Sequence, residues 1–128
     1  MPTARQASGA VHIPKLGDLV LGGYSEDRLR TAELLQTAEG RDDSSLVWKE
    51  ISPMIERRKF LSAVYFDMSV IVVSKDSTSM ELLSLPGNRP GQWTLVTGCT
   101  TPSDRPCSMC VFKERILLAG LLKTTEVN

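Results

Sequence analysis

Short apolar runs separated by turn residues form the main pattern along the chain. Residues 62–66 (SAVYF) and 70–73 (VIVV) are rich in β-branched and aromatic side chains, and the segment between them, 67–69 (DMS), is typical of a hairpin turn. Residues 9–13 and 19–21 repeat this arrangement earlier in the chain. Because the runs are short and are interrupted by Gly, Pro, Ser and Thr, the pattern predicts antiparallel strands rather than helices.

The predicted strands recur about every 50 residues, the spacing of a repeat architecture. Third strands are predicted at residues 32–36 and 80–85, and fourth strands contain Trp48 and Trp93, the 2 tryptophans of the chain. The alignment rests on three arginines that each precede a first strand: Arg5, Arg58 and Arg105. Four short antiparallel strands in about 50 residues are typical of one blade of a β-propeller.

These features resemble the kelch-repeat family. Its repeat has an arginine near Met-Pro, a second strand ending in a glycine pair, a glutamate in the third strand and a tryptophan in the fourth. The first repeat of the chain has the full set in this order: Met1-Pro2, Arg5, Gly22-Gly23, Glu33 and Trp48. The second repeat has Ser74-Lys75 in place of the glycine pair, and the third keeps Arg105 and Gly120.

The resemblance implies an all-β fold, a partial kelch-type propeller with about two complete four-stranded antiparallel blades and a hairpin of a third. The expected divisions are the tail of a preceding blade (1–5), one blade (6–54), a second blade (55–97) and the start of a third (98–128). We therefore expect a piece of a longer propeller, and the isolated chain is expected to be marginally stable or oligomeric because unpaired repeat ends leave apolar faces open.

Structural roles are expected for the repeat markers. A glycine pair permits positive φ and close backbone approach where the second strand leaves the sheet. A tryptophan on the outermost strand packs a large ring against the neighbouring blade. The residues assigned these roles are Gly22, Gly23, Trp48, Trp93 and Gly120.

Composition and charge narrow the classes of partner. Apolar residues make up 41% of the chain and charged residues 23%, as in globular proteins, and 15 Lys and Arg balance 15 Asp and Glu. This balance argues against nucleic acid or a membrane surface as the main partner, since both require clustered positive charge. The apolar run 116–122 is too short to span a membrane. Three cysteines without a secretory signal favour a cytoplasmic location.

Candidate catalytic and metal sites receive little support. His12 is the single histidine and alternates with apolar neighbours, as an ordinary strand residue does. Cys107 and Cys110 have the spacing of a zinc or redox pair, but no second pair exists, and residues three apart on a strand point to opposite faces. Asp42-Asp43 and Asp104 lie in predicted loops without a matching carboxylate cluster. We therefore expect no cofactor, no metal and no enzymatic activity.

The resemblance also implies where a partner binds. In kelch proteins, two loops per blade form the partner-binding face: one follows the glycine pair, and the other links the tryptophan strand to the next arginine. Carried over by position, the candidate residues are Tyr24, Ser25, Glu26, Asp27, Arg28, Arg57, Arg58, Lys75, Asp76, Ser77 and Arg105. Arg57-Arg58-Lys59 is the densest basic run, and a partner could dock there. Arg58 and Arg105 have an alternative structural role, bonding between blades.

The function expected from this resemblance is a protein–protein interaction scaffold. Many kelch propellers follow a BTB domain and deliver substrates to a cullin-RING ubiquitin ligase, and others bind actin. A non-functional truncated gene product is a further alternative. Some kelch-fold propellers are oxidases that hold copper with histidines, tyrosines and a cysteine, but a chain with one histidine matches that ligand set poorly.

Overall fold

The computed structural model describes residues 3–37, 45–75, 77, 79–96, 108–112, 115–119 and 124–127. Throughout these ranges the chain is all-β, with a single-turn 3₁₀ segment at Pro86–Asn88 and no α-helix. The described residues include no helix of the length and apolar character needed to cross a membrane. The all-β fold expected from the sequence is confirmed.

The first four-stranded sheet follows the chain as an antiparallel meander. Its strands are β1 (Gly9–Ile13), β2 (Gly17–Leu21), β5 (Ala32–Thr37) and β6 (Leu46–Ile51), in the order β1-β2-β5-β6. Between β2 and β5 the chain forms a small two-stranded ribbon, β3 (Tyr24–Ser25) and β4 (Asp27–Arg28). The sequence pattern predicted the four sheet strands but assigned the ribbon residues to a loop.

The second sheet repeats the same order of strands. It contains β7 (Leu61–Phe66), β8 (Ser69–Ser74), β9 (Met80–Ser84) and β10 (Trp93–Val96), each paired antiparallel with the next. The two four-stranded antiparallel sheets expected from the sequence are therefore present.

A third sheet contains one strand more than the expected hairpin. Its strands are β11 (Ser108–Phe112), β12 (Arg115–Ala119) and β13 (Thr124–Val127). The last of these, with sequence TTEV, pairs antiparallel with β12 through Ile116↔Val127 and Ala119↔Thr124. Its short mixed sequence has no clear apolar alternation, so the pairing with β12, rather than its own pattern, defines it as a strand.

The three sheets pack in series through their first strands, with β1 against β7 and β7 against β11. One core lies between the first and second sheets, and a smaller core involves the second sheet and Met109 of the third. The backbone N–H of Met109 also donates to Ser62 Oγ at 2.7 Å. The fully buried members of the larger core include Leu19, Leu21, Leu34, Met54, Val70, Val72 and Leu83.

Strand β8 is apolar at successive positions because both of its faces are covered. Val70 and Val72 point into the larger core, whereas Ile71 and Val73 point into the smaller one. A strand covered on both faces needs apolar side chains throughout, while a strand with one open face alternates. The run VIVV therefore reflects the central place of β8 between two layers of side chains.

The strand pairings place the two tryptophans at corresponding positions in the first two sheets. Trp48 of β6 pairs with Leu35, and Trp93 of β10 pairs with Leu83 at the corresponding place. Trp93 packs on the core between the first two sheets and donates its indole N–H to Ser52 O at 2.9 Å. Trp48 lies on the opposite face of the first sheet and is half-buried.

Candidate functional site

The two glycines that end β2 bring the ribbon against the segment linking the first two sheets. Gly22 and Gly23 have φ of +56° and +100°. A Cβ atom on Gly22 would lie 2.7 Å from the carbonyl oxygen of Arg58, and one on Gly23 would lie 2.7 Å from that of Gln6. The N–H of Gly23 donates to Arg58 O at 2.7 Å. Glycine is therefore required here by both conformation and space.

Arg58 is the centre of a buried hydrogen-bond cluster in this linking segment. Its side chain is fully buried, with Nε donating to Glu81 Oε2 at 2.7 Å and the guanidinium also donating to Ser74 Oγ and Ser79 O. Glu56 accepts from the remaining nitrogen at 2.7 Å. The side chain is thus enclosed, and of the two roles expected for Arg58 the geometry favours the structural one.

Glu81 completes this cluster, which we call the Arg58 clamp: Arg58, Glu81, Glu56, Ser74 and Ser79. The Glu81 side chain is also fully buried, and its carboxylate accepts from the backbone N–H groups of Ile55 at 2.5 Å and Glu56 at 3.1 Å. The clamp therefore fixes the segment before β7 to strand β9. A buried ion pair of this kind holds geometry because breaking it would leave an uncompensated charge.

The first repeat contains the equivalent pair, Arg5 and Glu33. Their side chains form a buried ion pair, and Arg5 Nη1 also donates to the carbonyl oxygens of Gly22 at 2.8 Å and Thr31 at 3.1 Å. In the second repeat Ser74 stands where the first has Gly22, and its hydroxyl accepts from the arginine in place of a carbonyl. Among the described residues, Arg5 Nε and Glu33 Oε2 have no hydrogen-bond partner.

Hydrogen bonds and charge in the clamp lower the pKa of Glu56. The principal cause is the hydrogen bond from Ser79 Oγ at 2.5 Å; a bond from Ser77 Oγ at 3.0 Å and the charge of Arg58 act in the same direction. Partial burial opposes them and raises the pKa, but the net shift is downward from the ordinary value of 4.5.

Beside the clamp, two aromatic rings and two lysines form an exposed cluster, which we call the aromatic–lysine patch: Tyr24, Phe60, Lys59 and Lys75. The Lys59 Nζ lies 5.7 Å from the centroid of the Tyr24 ring and 5.9 Å from that of Phe60, and Lys75 Nζ lies 5.6 Å from the Phe60 ring. These distances are within cation–π range. Tyr24 is 38% exposed and Phe60 42%.

A surface depression of about 340 Å³ lies within the patch, lined by Gln6, Ala7, Tyr24, Lys59 and Phe60. Backbone hydrogen bonds fix its walls. Gln6 and Tyr24 exchange N–H···O bonds of 3.1 and 2.8 Å, and the N–H of Phe60 donates to Ala7 O at 2.7 Å. The depression is therefore built from segments that precede β1, follow β2 and precede β7, and it exists only where the first two sheets meet.

Phe60 adopts an unusual backbone conformation for an aromatic residue, with φ of +51°. Ala7 occupies the equivalent place in the first repeat and has φ of +56°, so the conformation belongs to the repeat rather than to the side chain. A non-glycine residue in this region costs about 1 kcal/mol. Since Phe60 is partly exposed and belongs to neither core, core burial does not offset that cost.

The structure places the expected binding residues in several different settings. Tyr24 and Lys75 belong to the aromatic–lysine patch, and Ser77 hydrogen-bonds to Glu56 at the edge of the clamp. Four others are exposed beside the patch or in the linking segment: Ser25, Glu26, Asp27 and Arg57. The side chain of Arg28 and residues Asp76 and Arg105 lie outside the described part of the chain, as does Gly120.

Sequence reasoning missed Phe60 as a site residue. The predicted strand covers residues 62–66, and Phe60, which lies just before it, was not named as a candidate; β7 begins at Leu61. The only available signal was position: Phe60 follows directly on the basic run 57–59. Lys59 belongs to that run, which was recognised as a place where a partner could dock.

The other candidate positions do not assemble a metal site in the described residues, which contain no group of three His, Cys, Asp or Glu able to hold an ion. His12 and Asp18 are cross-strand neighbours on β1 and β2, and Nδ1 lies 2.7 Å from Oδ1 with both side chains exposed. Cys110 lies in β11, while Cys107, Asp42, Asp43 and Asp104 fall outside the described ranges.

Comparison with known proteins gives no assignment, since no family model and no curated protein sequence matches the chain.

Proposed function

We propose that this chain is part of a kelch-type propeller and binds another protein through the aromatic–lysine patch. The observation that carries the proposal is the patch itself, where Tyr24 and Phe60 stand partly exposed at the junction of two sheets. Tyrosine is among the residues that most often anchor protein interfaces, and aromatic residues are enriched there.

The repeat geometry supports the propeller part of the proposal. Successive antiparallel meanders contact each other through their first strands, which is how blades are arranged around a propeller axis. The pairs Arg5–Glu33 and Arg58–Glu81 occupy equivalent places in the first two sheets. These markers are the ones that the resemblance to the kelch family depends on.

Rigidity of the patch supports the binding part. Its rings are carried on segments held by backbone hydrogen bonds and by the Arg58 clamp, so little conformational entropy is lost when a partner binds. Within a longer protein, the proposed use is substrate recognition for a cullin-RING ubiquitin ligase, with actin binding as the alternative. Both uses come from the resemblance to kelch proteins.

Affinity capture with matched variants tests the proposal. The full chain, a Phe60→Gly variant and a Val47→Ala control are immobilised and exposed to the same cell extract, and retained proteins are quantified by mass spectrometry. Val47 is an exposed apolar residue on β6, 41% exposed, that lies outside the patch. Glycine suits the positive φ of Phe60, so that variant is expected to fold, which circular dichroism checks.

We expect a set of proteins retained by the parent chain and the Val47 variant and lost from the Phe60 variant. Substrates of a cullin ligase or actin within that set would distinguish the two uses. If the Phe60 variant retains the same proteins as the parent chain, the patch is not the binding site and the proposal fails.

A further inference from the structure

We infer that the aromatic–lysine patch recognises a short acidic protein segment in which a carboxylate side chain lies next to an apolar one. The inference deepens the proposed function and rests on it, since it names the chemistry of the partner. Three properties of the patch point to this class of ligand: the positive charges of its two lysines, the position of the Phe60 ring and the acidic residues at its border.

The first property concerns the two positively charged lysines of the patch. In the described part of the chain neither Lys59 nor Lys75 forms an ion pair, and both ammonium groups lie near the Phe60 ring instead. Cation–π contacts restrict the lysine side chains but leave N–H donors directed away from the ring. A ligand carboxylate can therefore accept from them while the rings stay in place.

Phe60 indicates an apolar contact at the same place. Its backbone conformation favours glycine, and the equivalent position in the first repeat is filled by Ala7, so a large ring is not needed for folding. The ring is 42% exposed and borders the depression of about 340 Å³. That volume is at the lower end of the range for ligand sites, roughly 300–1,000 Å³, and leaves room for an apolar side chain beside the Phe60 ring.

Acidic neighbours limit how far the positive region extends. Glu26 and Asp27 are exposed on the ribbon that carries Tyr24, directly beside the patch. A long polyanion such as nucleic acid, or an anionic membrane surface, would have to pass the exposed carboxylate of Glu26, which would repel it. A short protein segment can place one or two carboxylates at the lysines without reaching Glu26.

Peptide selection tests this inference directly. A random library of displayed peptides is selected on the full chain, and in parallel on the Lys59→Glu/Lys75→Glu double variant, Phe60→Gly and the control Lys15→Glu. Lys15 lies at the β1–β2 turn, at the end of β1 opposite the patch, so its variant carries the same type of charge change at a distance. The deep-sequenced pools report which residue types are enriched on each protein.

Peptides enriched on the parent chain are expected to contain Asp or Glu next to an apolar residue and to lose enrichment on the lysine double variant and on Phe60→Gly. A representative peptide should bind at least about tenfold more weakly to the double variant, and its affinity should fall as salt is raised. The Lys15 variant should enrich the same peptides as the parent chain.

Each other outcome overturns a defined part of the argument. Peptides that require Phe60 but contain no acidic residues would refute the acidic class and leave protein binding at the patch intact. No peptide enriched on the parent chain, or identical pools on all four proteins, would refute both. Tighter lysine-dependent binding of a single-stranded DNA oligonucleotide than of the selected peptides would assign the patch to polyanions instead.

Discussion

At the scale of single residues, two of the arginines that mark the repeats, Arg5 and Arg58, are structural. Arg58 reaches two carboxylates, two serine side chains and a carbonyl oxygen from one buried position, so its guanidinium bridges the linking segment and β9. Lysine could not do the same, because its ammonium group is a point charge without the planar fork of donors. The similar contacts of Arg5 and Arg58 therefore depend on the planar shape of the arginine side chain as well as on its charge.

Removing Arg58 tests this assignment. We expect Arg58→Ala to lower the free energy of unfolding by about 3–5 kcal/mol in a urea melt, because Glu81 is left as a buried charge without a cation. Arg89→Ala is the control: Arg89 is exposed, and its loss should change stability by less than about 0.5 kcal/mol. Equal small effects of both substitutions would show that the clamp contributes little to stability.

The second residue-scale prediction concerns acid. Because the pKa of Glu56 is lower in the folded chain than in the unfolded one, its contribution to stability is complete above the ordinary value of 4.5 and is lost as the pH falls through the lowered value. Urea melts of the parent chain should therefore lose stability more steeply below about pH 5 than melts of Glu56→Gln. Glu50→Gln, an exposed carboxylate on β6, controls for the change in charge. Parallel curves for the parent chain and Glu56→Gln would contradict the prediction.

Sequence reasoning reached the clamp residues only in part. The spacing of Arg5 and Arg58 is visible in the sequence, but whether an arginine faces solvent or a buried glutamate depends on the chain around it, and both roles fit the pattern. Phe60 escaped notice for a related reason: it lies just before the predicted strand 62–66, and only the structure shows that it borders the depression beside Tyr24 and Lys59.

At the scale of elements, the meander strands were predictable because each is a short segment that contains apolar residues and is bounded by turn residues. The ribbon β3–β4 was not, since Tyr24–Arg28 is polar, and its pairing depends on a turn at Glu26, which has φ of +64°. Strand β13 was also missed, because its pairing with β12 leaves no apolar period in the sequence TTEV. Local pattern thus predicts strands that form a core, and it fails for strands defined by a neighbour.

The element-scale prediction compares two glycines with nearly the same conformation. Gly22 has φ of +56° and its Cβ position is blocked by Arg58 O, Leu61 and Met54, while Gly87 has φ of +59° and no heavy atom within 4 Å of its Cβ position. Gly87→Ala should therefore cost only about 1 kcal/mol for the backbone conformation. Gly22→Ala should cost clearly more, about 2 kcal/mol or above, because the ribbon must also move.

Thermal and urea melts of the two glycine variants measure this difference. If both cost the same, the close approach of the ribbon to the linking segment does not exist in solution. If Gly22→Ala loses more stability than Gly87→Ala, we also expect Gly22→Ala to weaken partner binding, because Tyr24 directly follows the glycine pair and would move with it.

At the scale of the whole molecule, the sheets are unequal although their sequences repeat. The second sheet is packed on both faces, with the first sheet on one side and the third on the other. The first sheet buries Leu19, Leu21 and Leu34 against the second, while its other face carries Val20, Leu35 and Trp48, all only half-buried in the chain as described. The open face of the first sheet therefore corresponds, position by position, to the face of the second sheet that packs against the first sheet.

Val20 and Val72 provide a matched test of that asymmetry. Each is on the second strand of its sheet and pairs with the glutamate of its repeat, Glu33 or Glu81, so the two valines share a place in the repeat. Val72 is fully buried between sheets. Val72→Ala should cost about 2 kcal/mol or more, because deleting buried methyl groups leaves a cavity, whereas Val20→Ala should cost less than about 1 kcal/mol. Both valines lie on an inner strand of a four-stranded sheet, so the difference mainly measures burial. If the two variants lose equal stability in urea melts of the isolated chain, the face that carries Val20 is covered in solution, and light scattering on the same samples would then show whether a second copy of the chain covers it.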